Sequence, residues 1–196
     1  MKKLVAIICC FLLMGFTIPN TEYKTAKFII EDSSKIEIFA STNVNTIDCF
    51  LQFESVSPKL DIVYTENGNT IKFKKAQLKM ANSCFDCGNK MINKDLLKML
   101  DTDNNPHIYL NLKEVSLNSY TQNSATALIS ITMAGVTREA PLDLEIDKDR
   151  QLRTKGCLSL NLKDFEIDPP KKAMGLVAVQ NEITINLDLI MKPVSE

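Results

Sequence analysis

The chain has 196 residues, of which 45% are hydrophobic and 24% are charged, so a disordered, collagen-like or fibrous protein is excluded. Its 23 basic and 24 acidic residues give a net charge of −1, which provides no overall field for attracting nucleic acid or an anionic membrane. A single histidine disfavours histidine-rich metal sites and Ser-His-Asp chemistry. The length predicts one folded domain.

The start of the chain has the pattern of a secretory signal peptide. Two lysines precede an apolar run from Leu4 to Phe16, which matches a charged n-region and an apolar h-region. This run is shorter than the roughly 20 apolar residues that a membrane-spanning helix needs. We therefore expect residues 1–20 to be removed, with cleavage between Thr17 and Tyr23. Residues 21–196 are then expected to form one domain without an integral membrane segment.

Two cysteines in this apolar run, Cys9 and Cys10, could in principle accept a lipid. Lipoprotein processing requires a small residue directly before the cysteine, and here the preceding residues are Ile8 and Cys9. We therefore interpret both cysteines as part of the signal peptide. The sequence predicts a soluble periplasmic protein, with secretion as the alternative.

From Lys35 onward, apolar and polar residues alternate with the period of β-strands. Asn67-Gly68 and Ala134-Gly135 are turn signals between such strands. The apolar positions of the nine alternating runs are Ile36, Ile38 and Ala40; Ile47, Cys49, Leu51 and Phe53; Ile71 and Phe73; Leu78 and Met80; Ile108, Leu110 and Leu112; Ala127, Ile129, Ile131 and Met133; Leu142, Leu144 and Ile146; Leu158, Leu160 and Leu162; and Ile183, Ile185, Leu187 and Leu189.

One segment, Asn89–Leu100, has helical periodicity instead. Its apolar residues, including Ile92, Leu96 and Met99, fall on one side of the predicted helix, while its lysines fall on the other. No linker, no repeat of 20–50 residues and no low-complexity tract interrupts the chain.

These elements predict an all-β fold, namely a closed antiparallel barrel of about eight strands with one inserted helix. Such a barrel either fills its interior with its own side chains or holds one slender ligand. Sparse aromatic residues favour space for a ligand. The residues predicted to line it are Ile129, Ile131, Met133, Leu142, Leu144, Ile146, Leu158, Leu160, Ile183 and Ile185.

Four cysteines remain after the signal peptide: Cys49, Cys84, Cys87 and Cys157. In an exported protein an even number suggests disulfides, and four cysteines allow three pairings. A zinc site is disfavoured because only Cys84 and Cys87 are close in sequence. A redox role of this C-x-x-C motif is also disfavoured, because such motifs occur in βαβ surroundings and here the neighbours are antiparallel strands.

Other polar residues give no catalytic, metal or cofactor site. We interpret His107 as the first residue of a strand, since it has no second histidine or acidic cluster beside it. Asp143, Glu145 and Asp147 lack the glycine and loop of calcium motifs, so we expect a solvated outer face. Lys171-Lys172 could meet a phosphate or a lipid headgroup, but two loop lysines usually face water. No serine has a candidate general base, so we predict no enzyme.

Several short motifs occur in a fixed order along the chain. They are Ser41-Thr42-Asn43-Val44 with Cys49 after it, Phe85-Asp86-Cys87-Gly88-Asn89-Lys90-Met91-Ile92-Asn93-Lys94-Asp95 before the helix, Pro106-His107-Ile108, Ala134-Gly135-Val136-Thr137-Arg138, and Asp164-Phe165-Glu166-Ile167-Asp168-Pro169-Pro170 followed by Gly175. In this order and spacing they resemble the YceI-like family, in its cysteine-bearing envelope branch. The resemblance covers about Lys35 to Met191 and depends on the whole set rather than on any single motif.

This resemblance implies an extended, lipocalin-like barrel that binds a long-chain lipid, in particular a polyisoprenoid, without catalytic residues or a cofactor. It also implies a disulfide between Cys49 and Cys87, the cysteines at the family-like motif positions. The alternation of inward and outward residues mildly favours Cys84 as the partner of Cys49 instead, because both of these cysteines are in phase with inward residues. Cys157 should point outward.

The sequence thus supports an exported lipid-binding protein whose partner is an apolar lipid and not a nucleic acid. A ligand-free structural or stress-related envelope module is the alternative, and a thiol redox protein is the less favoured third hypothesis. A homo-oligomer is compatible with each of them.

Overall fold

The computed structural model describes residues 22–55, 59–121, 123–148, 151–172 and 177–194. The predicted signal peptide lies outside these residues. The described part contains one α-helix, thirteen β-strands and three short 3-10 segments. The helix is α1 (Lys90–Met99), and the strands are β1 (Lys24–Ile30), β2 (Lys35–Thr42), β3 (Thr46–Leu51), β4 (Lys59–Asn67), β5 (Thr70–Lys75), β6 (Gln77–Ala81), β7 (Phe85–Asp86), β8 (His107–Leu117), β9 (Ser124–Met133), β10 (Val136–Asp147), β11 (Leu152–Asn161), β12 (Lys171–Lys172) and β13 (Val177–Pro193).

Eight of these strands close into a ring in the order β1, β4, β5, β8, β9, β10, β11 and β13, with β13 returning to β1. Neighbouring strands of the ring pair in antiparallel fashion. The predicted all-β antiparallel barrel of about eight strands with one helix is therefore confirmed. The remaining strands extend the sheet beyond the ring at one end of the molecule.

The long strand β13 connects the ring to this extension. One edge of β13 pairs with β11, while its other edge pairs first with β2 and then, near its end, with β1. The loop between β1 and β2 crosses this edge at Ser34, which is 4% exposed. The Ser34 hydroxyl donates to the Ile190 carbonyl at 3.3 Å and accepts from the Ile190 N–H at 2.9 Å, so the β13 backbone stays paired across the gap.

The extension consists of β2, β3 and β7 on one side and β6 on the other. Within the described residues, β6 pairs with β8 and β7 pairs with β3, whereas β6 and β7 are linked by the 3-10 segment Asn82–Cys84. Asn82 is 1% exposed, and its side-chain amide donates to the Thr102 hydroxyl and the Asn105 carbonyl, both at 2.9 Å. This buried amide fixes the loop that follows α1 against the end of the sheet.

The core lies inside the barrel because the strands of the ring carry most of their buried apolar residues on the inward face. On β9, Ala127 and Ile129 are buried, whereas Leu128 between them is 38% exposed. The hairpin from β9 to β10 turns at Ala134-Gly135, where φ is +48° and +81°. The turn predicted at Asn67-Gly68 lies one residue later: Asn67 pairs with Thr70, and Gly68 takes the positive φ of +59°.

The helix α1 is far too short to span a bilayer, and nothing else in the described part of the chain forms a helix of the required length and apolarity.

Candidate functional site

The ring encloses an apolar cavity of about 330 Å³, here called the barrel cavity. Its wall contains side chains from β1, β4, β5, β8, β9 and β13, among them Phe28, Leu60, Phe73, Leu112, Ala127 and Leu189. Polar lining groups include Glu66 and Lys148, which lie where β4 and β10 end. The barrel cavity is therefore a hydrocarbon-lined space with charged groups at one end.

A second apolar cavity, of about 440 Å³, lies between α1 and the strands of the extension, and we call it the helix-side cavity. Inward residues of β2 and β3 face the apolar side of α1 across it, namely Ile38, Ala40 and Ile47 opposite Ile92, Leu96 and Met99. The sequence predicted the apolar face of the helix but not that this face borders a cavity.

Polar residues at the helix-side cavity come mostly from its rim. Asn45 follows the turn from β2 to β3, and Asn89 is the N-cap of α1, whose side chain accepts from the Met91 N–H at 2.8 Å. Two large apolar side chains of the same rim are exposed to solvent, Val44 at 66% and Met91 at 67%.

Four buried residues, here called the belt, separate the two cavities and line neither of them: Ile131, Leu158, Leu160 and Ile185. Ile131 lies on β9 between Ile129, which lines the barrel cavity, and Met133, which lines the helix-side cavity. Ile185 occupies the equivalent place on β13 and pairs directly with Leu158 of β11. The interior is thus two chambers with packed side chains between them.

The structure divides the ten residues that the sequence predicted as ligand-lining among these three regions. Ile129, Leu142, Leu144 and Ile146 line the barrel cavity, Met133 and Ile183 line the helix-side cavity, and the remaining four form the belt. All point inward, and their contact with a ligand stays a prediction.

The structure contains the disulfide that the family resemblance implies, between Cys49 of β3 and Cys87 just after β7. Both cysteines line the helix-side cavity, so the bond ties its strand wall to the segment that leads into α1. Cys84 is a buried thiol and Cys157 an exposed one, which agrees with the predicted outward direction of Cys157.

A small polar network holds the disulfide segment against the helix. The Asn93 side chain of α1 accepts from the Cys87 N–H at 2.8 Å and donates to the Asp86 carboxylate at 3.0 Å. The same carboxylate accepts from the Gly88 N–H at 2.9 Å. These donors, Asn93 first, lower the pKa of Asp86 because they stabilise its charged form.

Other polar candidates take the places expected from the sequence. His107 begins β8, its ring lies 6.0 Å from that of Tyr109, and burial is the main reason why its pKa is lowered. Asp143, Glu145 and Asp147 are exposed on the outer face of β10. Across the described ranges, no three His, Cys, Asp or Glu side chains are grouped closely enough to hold a metal ion. The side chains of Lys171-Lys172 lie outside the description.

A depression of about 1010 Å³ is a groove on the outer surface rather than an interior space. Charged side chains from four strands line it, including Lys35, Lys155 and Asp188. Such a wall suits water and ions, so we place the candidate site for an apolar ligand in the two interior cavities despite their smaller volumes.

Solved structures with the same fold include proteins from three bacteria. The crystal structure of Burkholderia cenocepacia BcnA has a TM-score of 0.62 at 16% identity, covering 82% of this chain and 98% of that chain. A polyisoprenoid-binding domain from Saccharophagus degradans, implicated in plant cell wall breakdown, has a TM-score of 0.56 at 11% identity, covering 87% and 100%. The Campylobacter jejuni YceI protein has a TM-score of 0.52 at 14% identity, covering 94% and 91%.

Comparison with curated proteins gives no match. The model of one family, the YceI-like domain, matches residues 22–191, which include nearly all of the ring, the extension and both cavities. Because this match spans most of the sequence, the chain belongs to the YceI-like domain family.

Proposed function

We propose that this protein is an exported binding protein that holds a long-chain apolar lipid of the polyisoprenoid class in its interior. The observation that carries the proposal is the pair of hydrocarbon-lined cavities, about 330 Å³ and 440 Å³, inside one sheet. Both volumes fall within the roughly 300–1,000 Å³ of small-molecule sites.

The chemistry of the cavity walls selects the ligand class. Each methylene that leaves water for such a wall contributes roughly 0.8 kcal/mol, so a long hydrocarbon chain binds tightly with few polar contacts. Polar and charged lining groups lie mainly at the ends, with Glu66 and Lys148 at the barrel cavity and Asn45 and Asn89 at the helix-side cavity. A polar headgroup is therefore expected at an end of the interior rather than at its centre.

The comparisons support the same ligand class. The Saccharophagus degradans domain with this fold is described as polyisoprenoid-binding. At 11% identity the likeness concerns the fold, so we transfer the ligand class to this chain as part of the proposal. We assign no catalytic role, since the interior side chains described above are hydrocarbon and the single histidine begins a strand beside Tyr109.

The disulfide supports the exported location. Disulfides persist mainly in oxidising compartments, and Cys49 and Cys87 are joined in this structure. Together with the predicted signal peptide, this favours the periplasm, with secretion as the alternative.

The proposal is tested by purifying the protein without detergent and identifying bound lipid by native mass spectrometry and solvent extraction. We expect one apolar species per chain. A protein that is empty, and that also fails to take up a fluorescent long-chain fatty acid, would contradict the proposal and favour the ligand-free structural module.

Two neighbouring residues of β9 provide a matched pair of variants. Ala127 is 0% exposed and lines the barrel cavity, whereas Leu128 points outward. Ala127→Phe should fill the cavity and lower lipid occupancy at least about tenfold, while Leu128→Phe should leave it unchanged. If Ala127→Phe does not fold, Leu144→Phe tests the same wall, because Leu144 lines the cavity and is only half-buried. Equal occupancy in inward and outward variants would exclude the barrel cavity as the site.

A further inference from the structure

The outer face of α1 carries a row of lysines. Lys90, Lys94 and Lys98 are exposed and spaced four residues apart, so they follow one side of the helix. Although the whole chain has a net charge of −1, the helix has these three lysines and a single acidic residue, Asp95, which lines the helix-side cavity.

These lysines differ from those of the strands. Lys24, Lys72 and Lys75 form ion pairs with Glu66, Glu114 and Asp61, respectively. Within the part of the chain that the structure describes, the helix lysines form no such pair. Their charge is therefore available to an external anionic partner.

Exposed apolar side chains lie beside this row. On an ideal helix the side chains of Met91 and Lys98 lie within about 20° of each other around the helix axis, since the two residues are seven positions apart. Met91 and Val44 both line the helix-side cavity, and both are about two-thirds exposed, at 67% and 66%. Phe50 of β3, 46% exposed, lines an adjoining groove with Ile92. Charge and apolar surface thus meet where the cavity reaches the protein surface.

We propose that this face, formed by the lysine row with Val44 and Met91, docks on the surface of an anionic lipid bilayer. Docking presses the rim of the helix-side cavity against the lipid, so a long-chain ligand passes between bilayer and protein without crossing water. The inference rests on the proposed function, because it gives that function its route for the ligand. It also explains why two large apolar side chains remain exposed at the rim.

The physical gain has two sources. A lysine near an anionic membrane strengthens binding about fivefold, so a row of three contributes about 100-fold. Each methylene that avoids water during transfer avoids a roughly fourfold penalty in partitioning, which makes a sheltered route important for a long chain. Because salt ions screen the attraction between the lysines and the anionic lipid, docking should weaken as the salt concentration is raised.

Flotation with vesicles tests the proposal. The full mature chain is mixed with phosphatidylcholine vesicles, with or without 25% phosphatidylglycerol, at low and high salt. We expect binding to the anionic vesicles only, weakened by salt. Replacing Lys90, Lys94 and Lys98 with Gln should weaken it about 100-fold. A control triple, Lys59→Gln, Lys113→Gln and Lys155→Gln, removes the same charge from exposed strand positions and should keep most of the binding.

Three outcomes would overturn the docking proposal: no binding to anionic vesicles, equal binding to neutral ones, or equal losses in the two triple variants. Uptake of a fluorescent long-chain fatty acid from solution, measured without vesicles, separates this failure from that of the proposed function. The helix triple should keep this uptake. A wild type that docks but takes up no apolar chain would contradict lipid binding while supporting the docking face.

Discussion

At the residue scale, the best-defined surface interaction is an ion pair on the outer face of the barrel. Arg153 of β11 donates from Nε and Nη2 to the two carboxylate oxygens of Asp188 of β13, at 2.7 Å and 2.6 Å. This two-point hydrogen bonding is the main reason why the pKa of Asp188 is lowered, and it outweighs the opposing effect of partial burial. The pair joins neighbouring strands of the ring beside β2.

This ion pair predicts a pH dependence of stability. The pKa of Asp188 is lower in the folded state than in the unfolded state. The ionised carboxylate therefore makes its full contribution to the free energy of unfolding above the unfolded pKa of about 3.9, and this contribution is lost as the pH falls through the folded pKa. Asp188→Asn should therefore lower the urea midpoint at pH 7 and show a smaller further loss between pH 5 and pH 2 than the wild type. Equal acid sensitivity of the two proteins, measured by urea titration at each pH, would contradict this assignment.

The cysteines show where prediction from single residues stops. Strand alternation alone indicates that Cys157 points outward, and it does. Alternation also places Cys49 and Cys84 inward, which left the pairing open. The 3-10 segment Asn82–Cys84 interrupts the alternation before β7, and the antiparallel pairing of β7 with β3 then brings Cys87 rather than Cys84 opposite Cys49. Periodicity cannot be extended across such a break, so the order of family-like motifs was the more informative signal.

At the scale of elements, segments with a strong hydrophobic periodicity had their boundaries predicted accurately, whereas segments with a weak periodicity did not. The helix predicted over Asn89–Leu100 occupies Lys90–Met99, with Asn89 as its N-cap. The strand β1 was not predicted, because Ile29 follows Phe28 and precedes Ile30, so three consecutive apolar residues hide the alternation. Ile29 is nevertheless outward and 37% exposed, whereas Ile30 is buried.

The disulfide acts at this scale because it joins the end of one sheet edge to the start of the helix. Its two cysteines are 38 residues apart, and closing a loop of this length is expected to stabilise the fold by about 4 kcal/mol through the entropy of the unfolded chain. We expect the double variant Cys49→Ser, Cys87→Ser to lose about this much free energy of unfolding, measured by urea denaturation without reductant. Cys157→Ser is the matched control, since Cys157 is exposed and outside the bond. Equal stability of both variants would show that the bond does not constrain the fold.

At the scale of the whole molecule, the sequence predicts which residues point inward but not where space remains between them. Ile129 and Ile131 occupy equivalent positions in the alternation of β9, yet one lines the barrel cavity and the other belongs to the belt. The difference depends on side chains contributed by β11 and β13, far away in sequence, such as Leu158 and Ile185. The shape of a cavity depends on the packing of side chains from all the surrounding strands, so a local sequence pattern does not predict it.

The belt makes a prediction about ligand length, because a chain that occupies both cavities must pass between its side chains. Ile185→Ala should join the barrel and helix-side cavities, whereas Ile129→Ala should enlarge the barrel cavity alone. Both changes remove the same buried atoms, so both should cost about 2–5 kcal/mol of stability. With saturated fatty alcohols of increasing length as probes, native mass spectrometry should show a longer upper limit for Ile185→Ala than for the wild type or Ile129→Ala. The same limit in all three proteins would mean that the belt side chains already move aside for the ligand and that the two cavities act as one tunnel.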